Sequence, residues 1–152
     1  MSRMMLNALL LPCMLAGCAT APRSQDALAA RVSTLVDRTV IPGGEQLAFT
    51  ELEAPGTPAV PYIVGHLGDM RPLPEAELSL SNTSPTAFEG ARHYSPETVH
   101  DALAAILNQL TGQNFAFVYN GASVHERQVN AAQWQAWCVG NFPTKVSVCA
   151  SP

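Results

Sequence analysis

The sequence predicts a mainly α-helical fold with one irregular excursion. In several stretches, apolar residues recur at the spacing of three to four residues that is typical of an amphipathic helix. Serine or threonine followed by proline or glutamate marks the start of several of these stretches. The pattern breaks over residues 69–94, which contain three prolines. We therefore expect about five helices packed as α-hairpins in a single domain.

Three helices are predicted in the first half of the domain. Ser24 is a suitable N-cap for a helix over 24–40, which a Pro-Gly-Gly sequence ends. A shorter helix follows over 45–54 and stops at a Pro-Gly pair. Pro58 then starts a third helix over 58–67, since proline is tolerated in the first helical turn.

The excursion over 69–94 is the predicted binding surface. Residues 77–81 alternate as a strand would, and 87–91 suit one helical turn. Compact domains rarely hold so long a connection without either a functional reason or secondary structure that the pattern does not reveal. The candidate partner-binding residues carry planar or charged side chains of the kind found at binding hot spots: Asp69, Arg71, Arg92, His93 and Tyr94. In the alternative interpretation, Arg92 and Tyr94 hold the loop on the core helix.

Two further helices are predicted after the excursion. Ser95, followed by proline and glutamate, starts the best amphipathic stripe of the chain, which ends at Gly112 and forms the central core helix. Residues 115–119 are aromatic and β-prone. A capping box then opens a last helix over 123–137, and a short strand is possible over 145–148.

Two tryptophans lie three residues apart on the last predicted helix. Trp134 and Trp137 could form a platform for a ligand or pack into the core. Core packing is favoured, because aromatic side chains contribute heavily to small helical cores.

The amino terminus resembles a bacterial lipoprotein signal. Residues 4–16 form an apolar run that is too short to span a bilayer, and Leu15-Ala16-Gly17-Cys18 resembles a lipobox. This resemblance implies a signal peptide at 1–17, a tether at 18–23 with lipid on Cys18, and one domain at 24–152. An ordinary signal peptide cut near Ala21 is the alternative.

Lipidation would place the protein in the cell envelope. More than one acyl chain on Cys18 would anchor the chain stably in the membrane. The next residue is Ala19 rather than the aspartate that retains many lipoproteins at the inner membrane, which favours the outer membrane and a periplasm-facing domain.

Charge and cysteine content narrow the function further. Loss of the leader removes one of eight basic residues and none of the twelve acidic ones, which leaves a net charge of −5. That charge argues against a nucleic-acid partner. Of the four cysteines, only Cys138 and Cys149 would then remain unmodified. In an oxidising compartment we expect them to form a disulfide, and the alternative is two free thiols in the tail.

Part of the chain resembles HEAT-type helical repeats. Residues 59–64, followed by Leu67-Gly68-Asp69, look like the second helix of such a repeat. The stretch 102–115, with 126–127 and 134–137, is similar to the closing segment of some bacterial HEAT-like proteins. No period of about 40 to 47 residues is present, so at most two degenerate repeats fit. The resemblance implies a scaffold that binds a protein partner.

Motifs for catalysis or metal binding are weak. The histidines lack the spacing of a helical zinc site, and no cofactor motif or catalytic residue is identified. His100 and Asp101 are expected to form a solvated pair. A loop pair, Glu75 and Glu77, could supply acid and base roles together with His93, which gives an envelope hydrolase as one alternative. The main hypothesis is a non-enzymatic, protein-binding lipoprotein, and an inhibitor of a cell-wall hydrolase is a more specific version of it.

Overall fold

A computed structural model describes residues 24–75, 77–82, 87–116 and 121–151. Over these ranges the fold is mainly helical, as predicted. In chain order the elements are α1 (Ser24–Arg38), α2 (Glu45–Glu53), a 3₁₀ turn (Thr57–Ala59), α3 (Val60–Val64), β1 (Leu78–Ser81), β2 (Ala91–Tyr94), α4 (Val99–Thr111), α5 (Val124–Asn141), a second 3₁₀ turn (Pro143–Lys145) and α6 (Val146–Cys149).

The short helix α3 lies at the centre of the fold. Its five residues are all buried, and it packs against α1, α4, α5 and α6. The predicted helix over 58–67 is therefore confirmed in position but shorter than expected. Its two ends are a 3₁₀ turn and a series of hydrogen-bonded turns, in which Leu67 N–H donates to the Val64 carbonyl at 3.1 Å.

The excursion contains an antiparallel hairpin. β1 pairs with β2 in a register that places Leu78 opposite Tyr94 and Ser81 opposite Ala91. The strand predicted over 77–81 is confirmed. The helical turn predicted over 87–91 is wrong, because the chain bends at 88–90 and then enters β2, whose backbone groups bond to β1.

The core helix α4 starts three residues later than predicted. Its N-cap is Thr98 rather than Ser95: the Thr98 hydroxyl accepts from Asp101 N–H, and the Asp101 carboxylate accepts from Thr98 N–H. The residues before it are extended because they pair with the chain after α3; Leu73 N–H donates to the Glu97 carbonyl at 3.1 Å. Gly112, with φ of 69°, ends the helix as predicted.

The carboxy-terminal part differs most from the prediction. α5 continues to Asn141, four residues beyond the expected end, and 146–149 form α6 rather than a strand. Pro143 starts a 3₁₀ turn that leads directly into α6, so helical backbone continues through this segment. Cys138 and Cys149 lie at disulfide distance, with 2.05 Å between the sulfurs, which confirms the expected pair.

Aromatic packing completes the core. Trp134 is fully buried and meets Phe115 edge to face, with ring centroids 4.8 Å apart, while Trp137 is partly buried. Core packing of Trp134 is thus confirmed. Phe115 and Ala116 do not form a strand, and the rest of the predicted strand over 115–119 lies outside the described residues. None of the helices described is long and apolar enough to span a membrane.

Candidate functional site

The base of the β1–β2 hairpin is fixed to α2. The Gln46 side chain amide brackets the backbone of Ser79: its oxygen accepts from Ser79 N–H at 2.8 Å and its nitrogen donates to the Ser79 carbonyl at 2.5 Å. Two turns farther along α2, Glu53 accepts from Ser81 N–H at 3.4 Å. These contacts hold β1 along α2, with Leu78 and Leu80 in the core.

Arg92 on β2 holds the other strand against the core helix. Its guanidinium donates to the Ala105 carbonyl of α4 at 3.4 Å and lies 5.1 Å from the centroid of the Tyr94 ring. Burial raises the pKa of Glu53, although hydrogen bonding to Ser81 and the charge of Arg92 oppose the rise. Arg92 therefore makes the contacts expected from the interpretation in which it holds the loop on the core helix.

The exposed residues of the hairpin include Ser79, His93 and the bend before β2. His93 lies opposite Ser79, and its Nδ1 is 3.0 Å from the Ser79 hydroxyl. Phe88 is fully exposed at the bend that precedes β2, and its neighbours Glu89 and Gly90 are exposed as well. A large aromatic side chain thus faces solvent at the end of a rigidly held strand pair.

Asp69 and Arg71 form a second cluster on a different part of the fold. Arg71 binds both carboxylate oxygens of Asp69, at 3.0 and 2.6 Å, and donates to Asp37 of α1 at 3.0 Å. Burial alone would raise the pKa of Asp69, but the hydrogen bonds from Arg71 outweigh it and lower the pKa. This cluster fastens the chain after α3 to the end of α1.

His66 lies beside the same cluster. It is half-buried, and burial lowers its pKa despite the opposing charges of Asp69 and Asp37. The imidazole is therefore neutral near pH 7 and can offer one donor and one acceptor. The five predicted partner-binding residues consequently fall into two groups, the Asp69–Arg71 cluster beside α1 and the β2 residues beside α2 and α4.

The residues of the hydrolase alternative make contacts with other parts of the chain. Glu75 N–H donates to the Glu45 carboxylate at 2.7 Å. Glu45 is buried, and this burial raises the pKa of Glu45, although the hydrogen bond from Glu75 N–H opposes the rise. Glu77 is exposed, and His93 meets Ser79 as described above.

One polar network was missed from the sequence. His100 and Asp101 were expected to be solvated, but both are buried, so that expectation is wrong. Asp101 accepts two hydrogen bonds of 2.8 Å from Arg127 of α5, and Arg127 also donates to Glu97 at 2.8 Å. His100 Nδ1 lies 2.6 Å from the Leu67 carbonyl. The Thr-x-x-Asp capping pattern at 98–101 was the available signal.

In comparisons with known proteins, no family model, no curated protein and no solved structure matches the chain. Within the described ranges, no three His, Cys, Asp or Glu side chains gather as a metal site would require. Cys18 lies outside the described residues.

Proposed function

We propose that this protein is a lipid-anchored, non-enzymatic module of the bacterial cell envelope that binds a protein partner. Lipid on Cys18 would hold it at the outer membrane, with the helical domain facing the periplasm. The proposed address is supported by the lipobox-like sequence Leu15-Ala16-Gly17-Cys18. Oxidation of the Cys138–Cys149 pair suits such a compartment.

The observation that carries the binding role is the exposed end of the β1–β2 hairpin. Phe88 is fully exposed there, at the bend that leads into β2, while Gln46 holds β1 against α2 and Arg92 holds β2 against α4. Exposed aromatic anchors on preorganised elements are the usual centres of protein interfaces, because they bury a large area at a small entropic cost. The HEAT-like resemblance agrees with a scaffold role, although a fold alone does not fix a function.

A cross-linking experiment in cells tests the binding role. The tagged full-length chain is cross-linked in the intact envelope, as the parent protein and as the Phe88→Ala variant. We expect one dominant adduct of fixed stoichiometry with the parent protein and its loss with Phe88→Ala. Val129→Ala is the matched control, since Val129 is another exposed apolar side chain, on α5. An adduct pattern that is unchanged by Phe88→Ala would reject the hairpin as the binding surface.

The proposed anchor has a separate test. Cells that express the full chain are labelled with radioactive palmitate, with Cys18→Ala as the comparison. Label is expected on the parent protein and not on the variant. Label that persists on the Cys18→Ala variant would overturn the lipid anchor but leave the binding role to the cross-linking result.

A further inference from the structure

A groove runs along one face of α1, away from the hairpin. Its first wall includes Gln25, Ala29 and Ser33, which are spaced four residues apart and so share one side of the helix, and Asp37 continues the same stripe beyond them. The opposite wall is α6, and the end of α3 forms the floor. The middle of the groove has a volume of about 440 Å³, which is within the range of sites for small ligands.

The groove is open because its walls carry small side chains and its floor contains a glycine. The middle section is bordered by Ala29 and Ser33 on one side and by Ser147 on the other. At the floor, a Cβ added to Gly65 would lie 3.0 Å from the Val148 carbonyl oxygen, so a larger residue there would push α6 outward by a few tenths of an ångström. The disulfide then ties the end of α6 to α5.

Polar groups in the middle of the groove are available to a ligand. Within the described residues, no hydrogen bond engages the half-buried His66 ring or the Ser33 hydroxyl. A largely apolar cleft with a few convergent polar groups is the usual form of a ligand site. Uncharged donors and acceptors of this kind match the amide groups of a peptide backbone.

The two ends of the groove carry opposite charge. At one end, Lys145 is held by two neutral oxygens, the Gln25 side chain at 2.6 Å and the Tyr62 hydroxyl at 2.7 Å, and none of the described carboxylates lies within ion-pair distance of it. At the other end, Asp37 and Asp69 share the single cation Arg71, which leaves one negative charge in excess. Smaller hollows of about 210 and 250 Å³ extend the groove toward these ends.

The helix between the two ends gives the length of the groove. Gln25 contacts the Lys145 end and Asp37 belongs to the acidic end, and they are twelve residues apart on α1. At a rise of 1.5 Å per residue the ends are therefore about 18 Å apart. An extended peptide covers that distance with about five or six residues.

We propose that the α1 groove binds a short extended peptide of about five residues with small side chains, whose positive end lies at Asp37 and Asp69 and whose negative end lies at Lys145. The charge complementarity of the ends, the spacing between them and the small walls point to this one occupant. The proposal depends on neither the lipid anchor nor the hairpin surface.

Binding of pentaalanine to the full chain in detergent tests the proposal. The peptide is used with both ends free, with either end blocked by acetylation or amidation, and with both ends blocked, at pH 7 and low salt, by calorimetry. We expect saturable binding that weakens about threefold for each blocked end and about tenfold when both are blocked. The free peptide should also shift the His66 ring signals in the NMR spectrum.

Variants of the protein test whether the peptide binds in the groove and which residue recognises each of its ends. Asp37→Asn should remove the preference for a free amino end and leave the preference for a free carboxylate, while Lys145→Met should do the reverse. Ser33→Leu should fill the groove and abolish binding. Thr34→Leu is its control, since Thr34 is exposed on a different side of α1. Circular dichroism of each variant checks that it folds.

Several outcomes would overturn the proposal. Equal affinity for the free and the doubly blocked peptide would show that the charged ends of the peptide are not recognised. Binding that survives Ser33→Leu in a folded variant would show that the peptide binds elsewhere. Absence of binding and of any His66 shift at millimolar pentaalanine would reject a peptide ligand. Self-association of the chain that Ser33→Leu abolishes would assign the groove to a second copy instead.

Discussion

Two arginines in this fold each bind both oxygens of one aspartate and one oxygen of a second carboxylate, but in opposite surroundings. The Arg127 side chain makes two hydrogen bonds to Asp101 and the Arg71 side chain makes three to Asp69, and each arginine donates one more to a second carboxylate. Around Arg127 the arginine and aspartate side chains are 8% and 4% exposed, whereas around Arg71 they are 44% and 14% exposed. Geometry alone therefore does not distinguish a structural arginine from one on a functional surface.

The difference in burial gives the two clusters different roles. Arg127 joins the start of α5 to the start of α4, where it and Asp101 are nearly out of reach of water. Removing one member of a buried pair leaves an uncompensated charge in a poorly solvated place, which is far more costly than losing an exposed pair. Arg71 can lose a partner to water at little cost, so its carboxylates remain available to a ligand at the end of the α1 groove.

Arg127→Ala should produce the largest effect. It would leave Asp101 buried without its cation, and we expect the free energy of unfolding to fall by about 3 to 5 kcal/mol. Urea denaturation followed by circular dichroism measures the change. Arg71→Ala, the matched variant in the exposed cluster, should lower stability by about 1 kcal/mol or less. Losses of similar size at the two arginines would contradict the division by burial.

Lysine substitutions at the same two positions should cause smaller losses of stability than the alanine substitutions, and the loss should again be larger at Arg127. A lysine keeps the charge but cannot reproduce the two parallel bonds to one carboxylate. Arg127→Lys is expected to cost about 1 to 3 kcal/mol, because one oxygen of buried Asp101 loses its donor. Arg71→Lys should be nearly neutral in the same urea assay, since water reaches that cluster. A loss at Arg71→Lys that equals the loss at Arg127→Lys would show that the fork geometry matters regardless of burial.

Local patterns in the sequence predicted much of the fold. The amphipathic spacing located all the longer helices, and alternation over 77–81 located β1. The predicted start of α4 was wrong. Ser95 is a suitable N-cap by its local sequence, but Thr98 pairs with Pro72, so the helix begins after Thr98. The helix α6 was missed because a β-prone run of four residues says little about a segment that a proline turn and a disulfide place against α3.

The sites were harder to predict because they depend on contacts between distant segments. Arg71 was predicted as a binding residue from its side-chain chemistry alone. In the structure it also binds Asp37, which lies 34 residues earlier in the chain. Arg127 was not singled out, since its partner Asp101 is 26 residues away and no local pattern joins them. The α1 groove depends on the approach of α6 to Gly65, which no periodicity in either segment indicates.

The stability that Asp69 contributes in the Arg71 cluster should depend on pH. The pKa of Asp69 is below its ordinary value of 3.8 in the folded protein, so its ionised form stabilises the fold at higher pH. That contribution is present above pH 3.8 and is lost as the pH falls through the lowered pKa. We expect Asp69→Asn to be less stable than the parent protein at pH 7, by about 1 kcal/mol, and the difference to vanish toward pH 2. A difference that stays constant between pH 7 and pH 2 would show that the Asp69 charge contributes nothing.

The smallest effect is expected for the pair that joins Arg71 to Asp37. The Asp37 side chain is 70% exposed, so its bond to Arg71 competes directly with water and salt. A double-mutant cycle with Arg71→Ala and Asp37→Ala should give a coupling energy of about 0.2 to 1 kcal/mol that falls toward zero in 1 M salt. The corresponding cycle for Arg127 and Asp101 should keep most of its coupling at that salt concentration, because the buried pair is poorly screened. A coupling energy between Arg71 and Asp37 that persists in 1 M salt would mean that this ion pair is part of the stable fold. Asp37 would then not be available to a ligand at the acidic end of the groove.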